Sequence, residues 1–259
     1  MALDTKYLYF ASDLHLGAPN AQKSADREKA FIAWLDHIRP TAKAIFLLGD
    51  VFDFWYEYKT VVPKGYTRLL GKIAELTDAG IEIHFFKGSH DMWVFDYFEK
   101  ELGMRIHSNE YTFEHAGKQF YLHHGDGLGP GDYKYKFLKQ FFRSALCQWL
   151  FARLHPNFGL QLAGLLSKRS RANGGAKDAI YNGAEQEWLY AYVQQMQSKQ
   201  HHDYYLFGHR HLPLYLPCDK ALYINTGDWI KYQTFARFSN EQLELLQWAD
   251  HQVLPYNAD

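Results

Sequence analysis

Three short apolar runs, Lys6–Ser12, Ala44–Leu48 and Ile81–Phe86, end at Asp13, at Gly49-Asp50 and at Lys87-Gly88. They are separated by Asp26–Ile38 and Tyr66–Ala79, which carry helical spacing. In the first of these, Ala30, Phe31, Trp34, Leu35 and Ile38 share one face, and Pro40 follows; the second meets Gly80 at its C-terminal edge. Strand, helix, strand, helix, strand at this spacing predicts an α/β layer with at least partly parallel strands. Later segments read as shorter strands: Glu110–His115 and Lys118–His123 around an Ala116-Gly117 turn, then Tyr204–Phe207, Ala221–Asn225, Gln233–Phe238 and Gln242–Trp248. A helical block, Asp132–Gln200, lies between the two sets. This predicts a core of 1–131 and 201–259 interrupted by a helical insertion, 132–200.

Composition narrows the class. At 259 residues, with 47% hydrophobic and 22% charged residues, disordered, collagen-like and coiled-coil chains are excluded. No run approaches the length of a spanning helix, and the start has no basic segment followed by an apolar core and a cleavage site. Two cysteines, Cys147 and Cys218, make no disulfide framework, so a reduced, cytoplasmic setting is expected.

The 14 histidines and the aspartates are unevenly placed. Asp13-Leu14-His15, Gly49-Asp50, Gly88-Ser89-His90-Asp91, His123-His124-Gly125-Asp126, Gly208-His209-Arg210-His211 and Asn225-Thr226-Gly227-Asp228 each follow a predicted strand. Strand C-terminal ends are where open α/β sheets place ligands. In an extended segment D-x-H and H-x-H set both donors on one face, and a carboxylate such as Asp50 can bridge two cations. Mixed His/Asp donors suit Mn²⁺, Fe²⁺ or Zn²⁺ better than Ca²⁺. Asp53 and Asp126 read as orienters of the histidines or as loop residues, and Asn225 and Asp228 as loop braces. His123 reads as a strand residue. His37, His84, His107, His115, His201, His202 and His251 have no motif context and read as surface or core residues.

The series D-x-H, G-D, G-x-H-D, H-G-D and G-H-x-H, over Tyr7–His124 and Tyr204–Leu246, resembles the calcineurin-like metallophosphoesterase superfamily. Within it, SDLHLG (Ser12–Gly17), LLGDVFDFW (Leu47–Trp55), HHGD (His123–Asp126), FGHRHLP (Phe207–Pro213), NTGDW (Asn225–Trp229) and the helical insertion are similar to the pyrophosphatases of lipid A synthesis that act on UDP-2,3-diacylglucosamine. The resemblance implies a four-layer α/β/β/α sandwich with an inserted helical lid. It implies two divalent metal ions, Mn²⁺ before Fe²⁺ or Zn²⁺, one held by Asp13, His15, Asp50 and His211, the other by Asp50, residue 89, His124 and His209. At position 89 the family has Asn, whereas this chain has Ser89, a shorter and weaker ligand. At position 90 those enzymes carry Arg, whereas His90 with Asp91 resembles the pair that stabilises or protonates the leaving oxygen in general phosphoesterases. Arg169, Asn173 and Lys177 loosely match lid positions that contact the sugar and phosphates. The implied reaction splits a UDP-activated acylated glucosamine into UMP and 2,3-diacylglucosamine 1-phosphate. The alternatives are a less selective phosphodiesterase or nucleotide pyrophosphatase, which His90 favours, and a non-catalytic scaffold on the same fold.

The insertion changes the meaning of the net charge of −1. Between Asp132 and Lys177 nine Lys or Arg residues face a single acid, a net of +8 that leaves −9 on the remainder. Phe137, Leu138, Phe141, Leu146, Trp149, Leu150, Phe151 and Leu154 fall at helical spacing, followed after Pro156 by Leu160, Leu162, Leu165 and Leu166. A basic helix with a broad apolar face predicts a lid that holds acyl chains, offers Lys and Arg to phosphates, and touches the cytoplasmic face of the inner membrane. The bland reading is a helical hairpin packed on the core with solvated charges. Nucleic acid is not expected as a partner, because no stacking platform accompanies the basic residues. The sequence does not specify an oligomeric state.

Overall fold

In the computed structural model, residues 6–129, 133–178 and 180–256 are described, and the side chains of 134 and 170–178 are not. The elements run β1 (Tyr7–Ala11), α1 (Ala21–Ile38), β2 (Ala42–Leu47), α2 (Thr67–Asp78), β3 (Glu82–Phe86), α3 (Tyr97–Leu102), β4 (Arg105–His107), β5 (Tyr111–His115), β6 (Lys118–Leu122), α4 (Tyr133–Arg143), α5 (Ala145–Phe151), α6 (Pro156–Asp178), α7 (Trp188–Gln197), β7 (Tyr204–Phe207), β8 (Pro213–Cys218), β9 (Ala221–Thr226), β10 (Thr234–Ser239), β11 (Gln242–Ala249) and β12 (Gln252–Pro255). Helix α1 begins earlier than its apolar spacing suggests. Asn20 caps it, its side chain accepting the Lys23 N–H at 3.0 Å, and the first turn is polar.

Two sheets stack. The larger has the order β12-β11-β10-β1-β2-β3-β4, with β1 to β4 parallel and β10 to β12 antiparallel; the smaller has the order β5-β6-β7-β9-β8, parallel through β6-β7-β9. Strand alternation sorts the core into layers. From β1, Leu8 and Phe10 point inward with Phe46, to meet Phe120, Leu122, Leu206 and Ile224 of the second sheet. Tyr9 and Ala11 point outward with Ile45 and Phe85, against Phe31, Trp34, Leu69 and Ile73 of α1 and α2. Tyr121, Tyr205, Phe207 and Tyr223 face away from the first sheet and pack under Leu189 and Val193 of α7. This is a four-layer α/β/β/α sandwich. Helix α7 lies inside the expected 132–200 insertion, yet it forms the fourth layer of the core; the helices left outside the layers are α4, α5 and α6.

Those three helices are docked at one end. Tyr56 Oη donates to the Gln148 carbonyl and Trp93 Nε1 to the Phe142 carbonyl, both at 2.8 Å. Phe151 packs between Tyr56 and Trp93, with ring centroids 4.6 and 4.7 Å away. Elsewhere the apolar faces are bare: Tyr133, Phe137, Leu146, Phe158 and Leu165 are each more than half exposed. No helix among the described residues is long and apolar enough to cross a membrane.

Candidate metal centre

The loops that leave β1, β2 and β7 carry the predicted donors in an unusual backbone conformation. Asp13, His15, Asp50, His209 and His211 all have positive φ, between 43° and 67°. Side chains with a Cβ disfavour this left-handed region, at a cost of order 1 kcal/mol or more per residue. This corrects the alternation argument for D-x-H and H-x-H. The donors do not share a face of an extended strand; tight turns aim them. Segment 13–16 runs beside 49–51, with Asp13, His15 and Leu16 N–H groups donating to the carbonyls of Gly49, Asp50 and Val51.

Besides a cluster of His15, Asp53 and His90, two groups of donors result, Asp13 with His15 and His211, and Asp50 with His124 and His209, each with ligand atoms within 4.8 Å of one another. Asp50 Oδ2 joins them, 3.7 Å from His15 Nε2 and 3.4 Å from His124 Nε2. His15 Nε2 and His211 Nε2 lie 3.2 Å apart, converging as ligands of one ion do. Asp13 Oδ1 and His124 Nε2 are buried without a hydrogen bond among the described residues, an arrangement that is costly unless another group fills it. The donor set is imidazole and carboxylate, and it fits a pair of borderline divalent cations.

The electrostatics agree. Burial would raise the Asp50 carboxyl, but His124 and His90 outweigh it and hold it well below the usual range. Burial would lower His124, but Asp50 and Asp13 lift it to about 10. The carboxylates thus favour positive charge in the cleft. Burial pushes His209 down to about 4, which leaves a neutral imidazole with a lone pair to donate.

Outer partners fix Asp13, Asp50, His124 and His211. His124 Nδ1 donates to the Leu48 carbonyl at 2.7 Å, turning Nε2 toward Asp50. His211 Nδ1 lies 3.2 Å from Asp228 Oδ2, and Asp228 Oδ1 accepts the N–H groups of Ile230, Lys231 and Tyr232. Asp13 Oδ2 accepts the His209 N–H at 2.8 Å, and Asp50 Oδ1 that of His90 at 2.8 Å. Asn225 holds the Gly208 carbonyl, as expected of a brace. His123 Nδ1 accepts the Gly125 N–H at 2.8 Å.

Three expected residues stand differently. The Ser89 hydroxyl donates to Asp50 Oδ2 at 2.9 Å, so it meets that carboxylate directly. Asp91 does not pair with the His90 ring. Fully buried, it accepts the N–H groups of Val51 and Gly88 at 2.8 Å and of Asp50 and Phe52 at 3.3 Å, and so it braces the Asp50 loop rather than reaching reacting atoms. The His90 ring turns instead to the Asp53 carbonyl and to Ser167 on α6, each 3.0 Å from Nδ1. Of the expected lid contacts, Arg169 is exposed on α6, while the side chains of Asn173 and Lys177 lie outside the described residues.

Sequence reasoning missed the residues that tie the insertion to this cleft. Tyr135 Oη and Lys139 Nζ reach Asp126 Oδ2 at 2.9 and 2.7 Å. Their spacing of four on a basic helix was the available signal, since it puts both on one face. Arg210, between two donor histidines, points to the other side, pairs with buried Glu187 at 3.0 Å and donates to the Ile180 carbonyl at 2.8 Å.

A family model described as calcineurin-like phosphoesterase matches residues 7–213. Among curated proteins the chain is 39% identical, over 94% of its length and 98% of the relative, to a UDP-2,3-diacylglucosamine hydrolase of Porphyromonas gingivalis. It is 26% identical to the protein of that name from Edwardsiella ictaluri, over 93% of this chain and 92% of the relative. Among solved structures, Vacuolar Protein Sorting 29 from Cryptosporidium parvum superposes with a TM-score of 0.50 at 11% identity, over 96% of this chain and 94% of that one, a likeness of fold alone.

Proposed function

Because the chain belongs to the calcineurin-like phosphoesterase family, we propose that it hydrolyses the pyrophosphate bond of UDP-2,3-diacylglucosamine, releasing UMP and 2,3-diacylglucosamine 1-phosphate. The observation that carries this reading is the meeting of two His/Asp donor groups at Asp50 beneath helices with bare apolar faces and a net basic charge. The curated relatives of that name support the substrate. Asp13, His15, Asp50 and His211 would hold one divalent cation, and Asp50, His124 and His209, completed by Ser89, a second. Mn²⁺ is the first choice, with Fe²⁺ or Zn²⁺ as alternatives. Two such cations supply Lewis acidity and charge neutralisation at the phosphates.

The protein groups do the rest. His90 keeps its Nδ1 proton on a carbonyl, so Nε2 is the atom that would take up a second proton from solvent and pass it, from the imidazolium, to the leaving oxygen; burial pushes the ring down to about 4, and the negative charge of Asp50 works against that push. Asp91 and Asp53 keep the loops rigid around it. The apolar faces of α4, α5 and α6 take the acyl chains, and the basic residues of the insertion, Arg169 and Lys177 among them, meet the phosphates and sugar together with the Asn173 amide. The same exposed aromatics beside a net charge of +8 support peripheral attachment to the anionic cytoplasmic face of the inner membrane.

Asp50→Ala is the sharpest test, assayed by release of UMP from the acylated UDP-sugar. Loss of turnover is expected, and full activity would refute the shared-carboxylate reading. A second reading, a less selective phosphodiesterase, is favoured by His90 and is separated by turnover of a plain phosphodiester relative to the acylated UDP-sugar.

A further inference from the structure

We infer that Ser167, on α6, is a positioning residue that seats His90 for the hydrolysis. The argument begins with how α6 lies on the core. Its neighbouring side chains Leu165, Leu166, Lys168 and Arg169 are exposed, whereas Ala163 and Ser167 are buried at 6% and 7% exposure. Gly159 lies a further four residues back. A Cβ there would meet Tyr58 Oη at 2.7 Å and the Phe151 ring at 3.2 Å. Gly159, Ala163 and Ser167, each four apart, make one narrow stripe along the helix. Small residues let α6 approach closely, and the last of them brings a hydroxyl to the His90 ring.

The chemistry of that contact is directional. The Asp53 carbonyl can only accept, so the hydrogen of His90 sits on Nδ1. Ser167 Oγ, also 3.0 Å from Nδ1, is the second acceptor of the same N–H. The ring is therefore held from two sides, by a core loop and by a helix 77 residues away in sequence. The direction of its remaining nitrogen, Nε2, is set by both contacts, one of which α6 supplies. The serine thus makes the placement of the proton-carrying group depend on α6 being seated on the core.

This rests on the proposed role of His90, and the experiment separates the two. The variants are Ser167→Ala, Ser167→Thr, His90→Ala and the double variant His90→Ala with Ser167→Ala, each assayed for kcat and KM on UDP-2,3-diacylglucosamine with excess Mn²⁺. The NMR signal of the His90 Nδ1–H in the metal-free protein is an independent readout. Ser167→Ala is expected to lower kcat about tenfold with little change in KM and to move or broaden the Nδ1–H signal. Ser167→Thr, which keeps the hydroxyl, restores both. In the His90→Ala background Ser167→Ala is expected to cost nothing further. An equal loss in both backgrounds, or unchanged kcat in Ser167→Ala while His90→Ala is slow, overturns the inference alone. Wild-type turnover by His90→Ala overturns the role of His90 and the inference with it.

Discussion

Replacing Gly208 by alanine tests whether the donor geometry is set by close backbone approach. Gly208 does not have positive φ, so its backbone suits any residue. Any penalty must therefore be steric. A Cβ at 208 would lie 2.6 Å from Asp13 Oδ2, 2.6 Å from Ser12 Oγ and 2.7 Å from Ser12 Cβ, whereas ordinary contact starts at 3.4 Å. Something must move by about 0.8 Å. The neighbours resist. Ser12 Oγ is bonded to Thr226 Oγ1 at 2.7 Å and to the Gly227 carbonyl at 3.2 Å, and Asp13 Oδ2 holds the His209 N–H. Gly208 itself is tied by its N–H to the His124 carbonyl and by its own carbonyl to Asn225. Overpacking of this kind costs roughly 1–3 kcal/mol, and a donor displaced by more than about 0.5 Å is out of productive geometry. Urea unfolding of the metal-free protein is expected to show that loss, and calorimetric titration with Mn²⁺ a weakening of at least about tenfold at one site. Gly71→Ala is the control. In the interior of α2, with nothing within 4 Å of an added Cβ, it is expected to stabilise by about 0.5–1 kcal/mol. Wild-type Mn²⁺ affinity and stability in Gly208→Ala would refute the steric account.

Two further outcomes follow from buried charge. Arg210→Met deprives the Glu187 carboxylate, 2% exposed, of its cation and is expected to cost about 3–5 kcal/mol in urea unfolding, against which a loss under about 1 kcal/mol would count. Burial pushes His84 down to about 3 and His107 to about 4. The unfolded chain takes up protons below about pH 6.5 while these stay neutral, so stability is expected to fall as pH drops from there toward 4, by up to about 1.4 kcal/mol per pH unit for each; His84→Phe should flatten the slope, and an unchanged slope would exclude the pair as its source.

The strands that carry the site were legible because parallel strands buried on both faces must be short and continuously apolar, as Ala44–Leu48 and Ile81–Phe86 are. The donors were legible because few side chains bind divalent cations, and they recur after those strands. Length explains what was missed. Strand β4 has three residues and α3 six, too few to show a period. The role of Asp91 was misread because a G-S-H-D tetrapeptide does not reveal that its last side chain turns back on the backbone of residues 50–52. Ser167 was invisible for another reason: a serine in a basic helix is ordinary until the helix is laid on the core.

The charge asymmetry gains a physical meaning from the cleft. Asp13, Asp50, Asp53, Asp91 and Asp126 are all buried around it, a concentration of negative charge that folding does not favour by itself. Part is offset inside the core, where Asp91 accepts four backbone N–H groups. Part is offset by the insertion, where Lys139 reaches Asp126. What is left falls on Asp13, Asp50 and Asp53, the three carboxylates whose oxygens point at the imidazoles, Asp53 Oδ1 lying 3.6 Å from His15 Nδ1. An acidic body and a basic insertion are therefore two sides of one device. The body leaves a deficit of positive charge where cations would bind, and the insertion brings its own positive charge to the same place, where an anionic substrate would meet both.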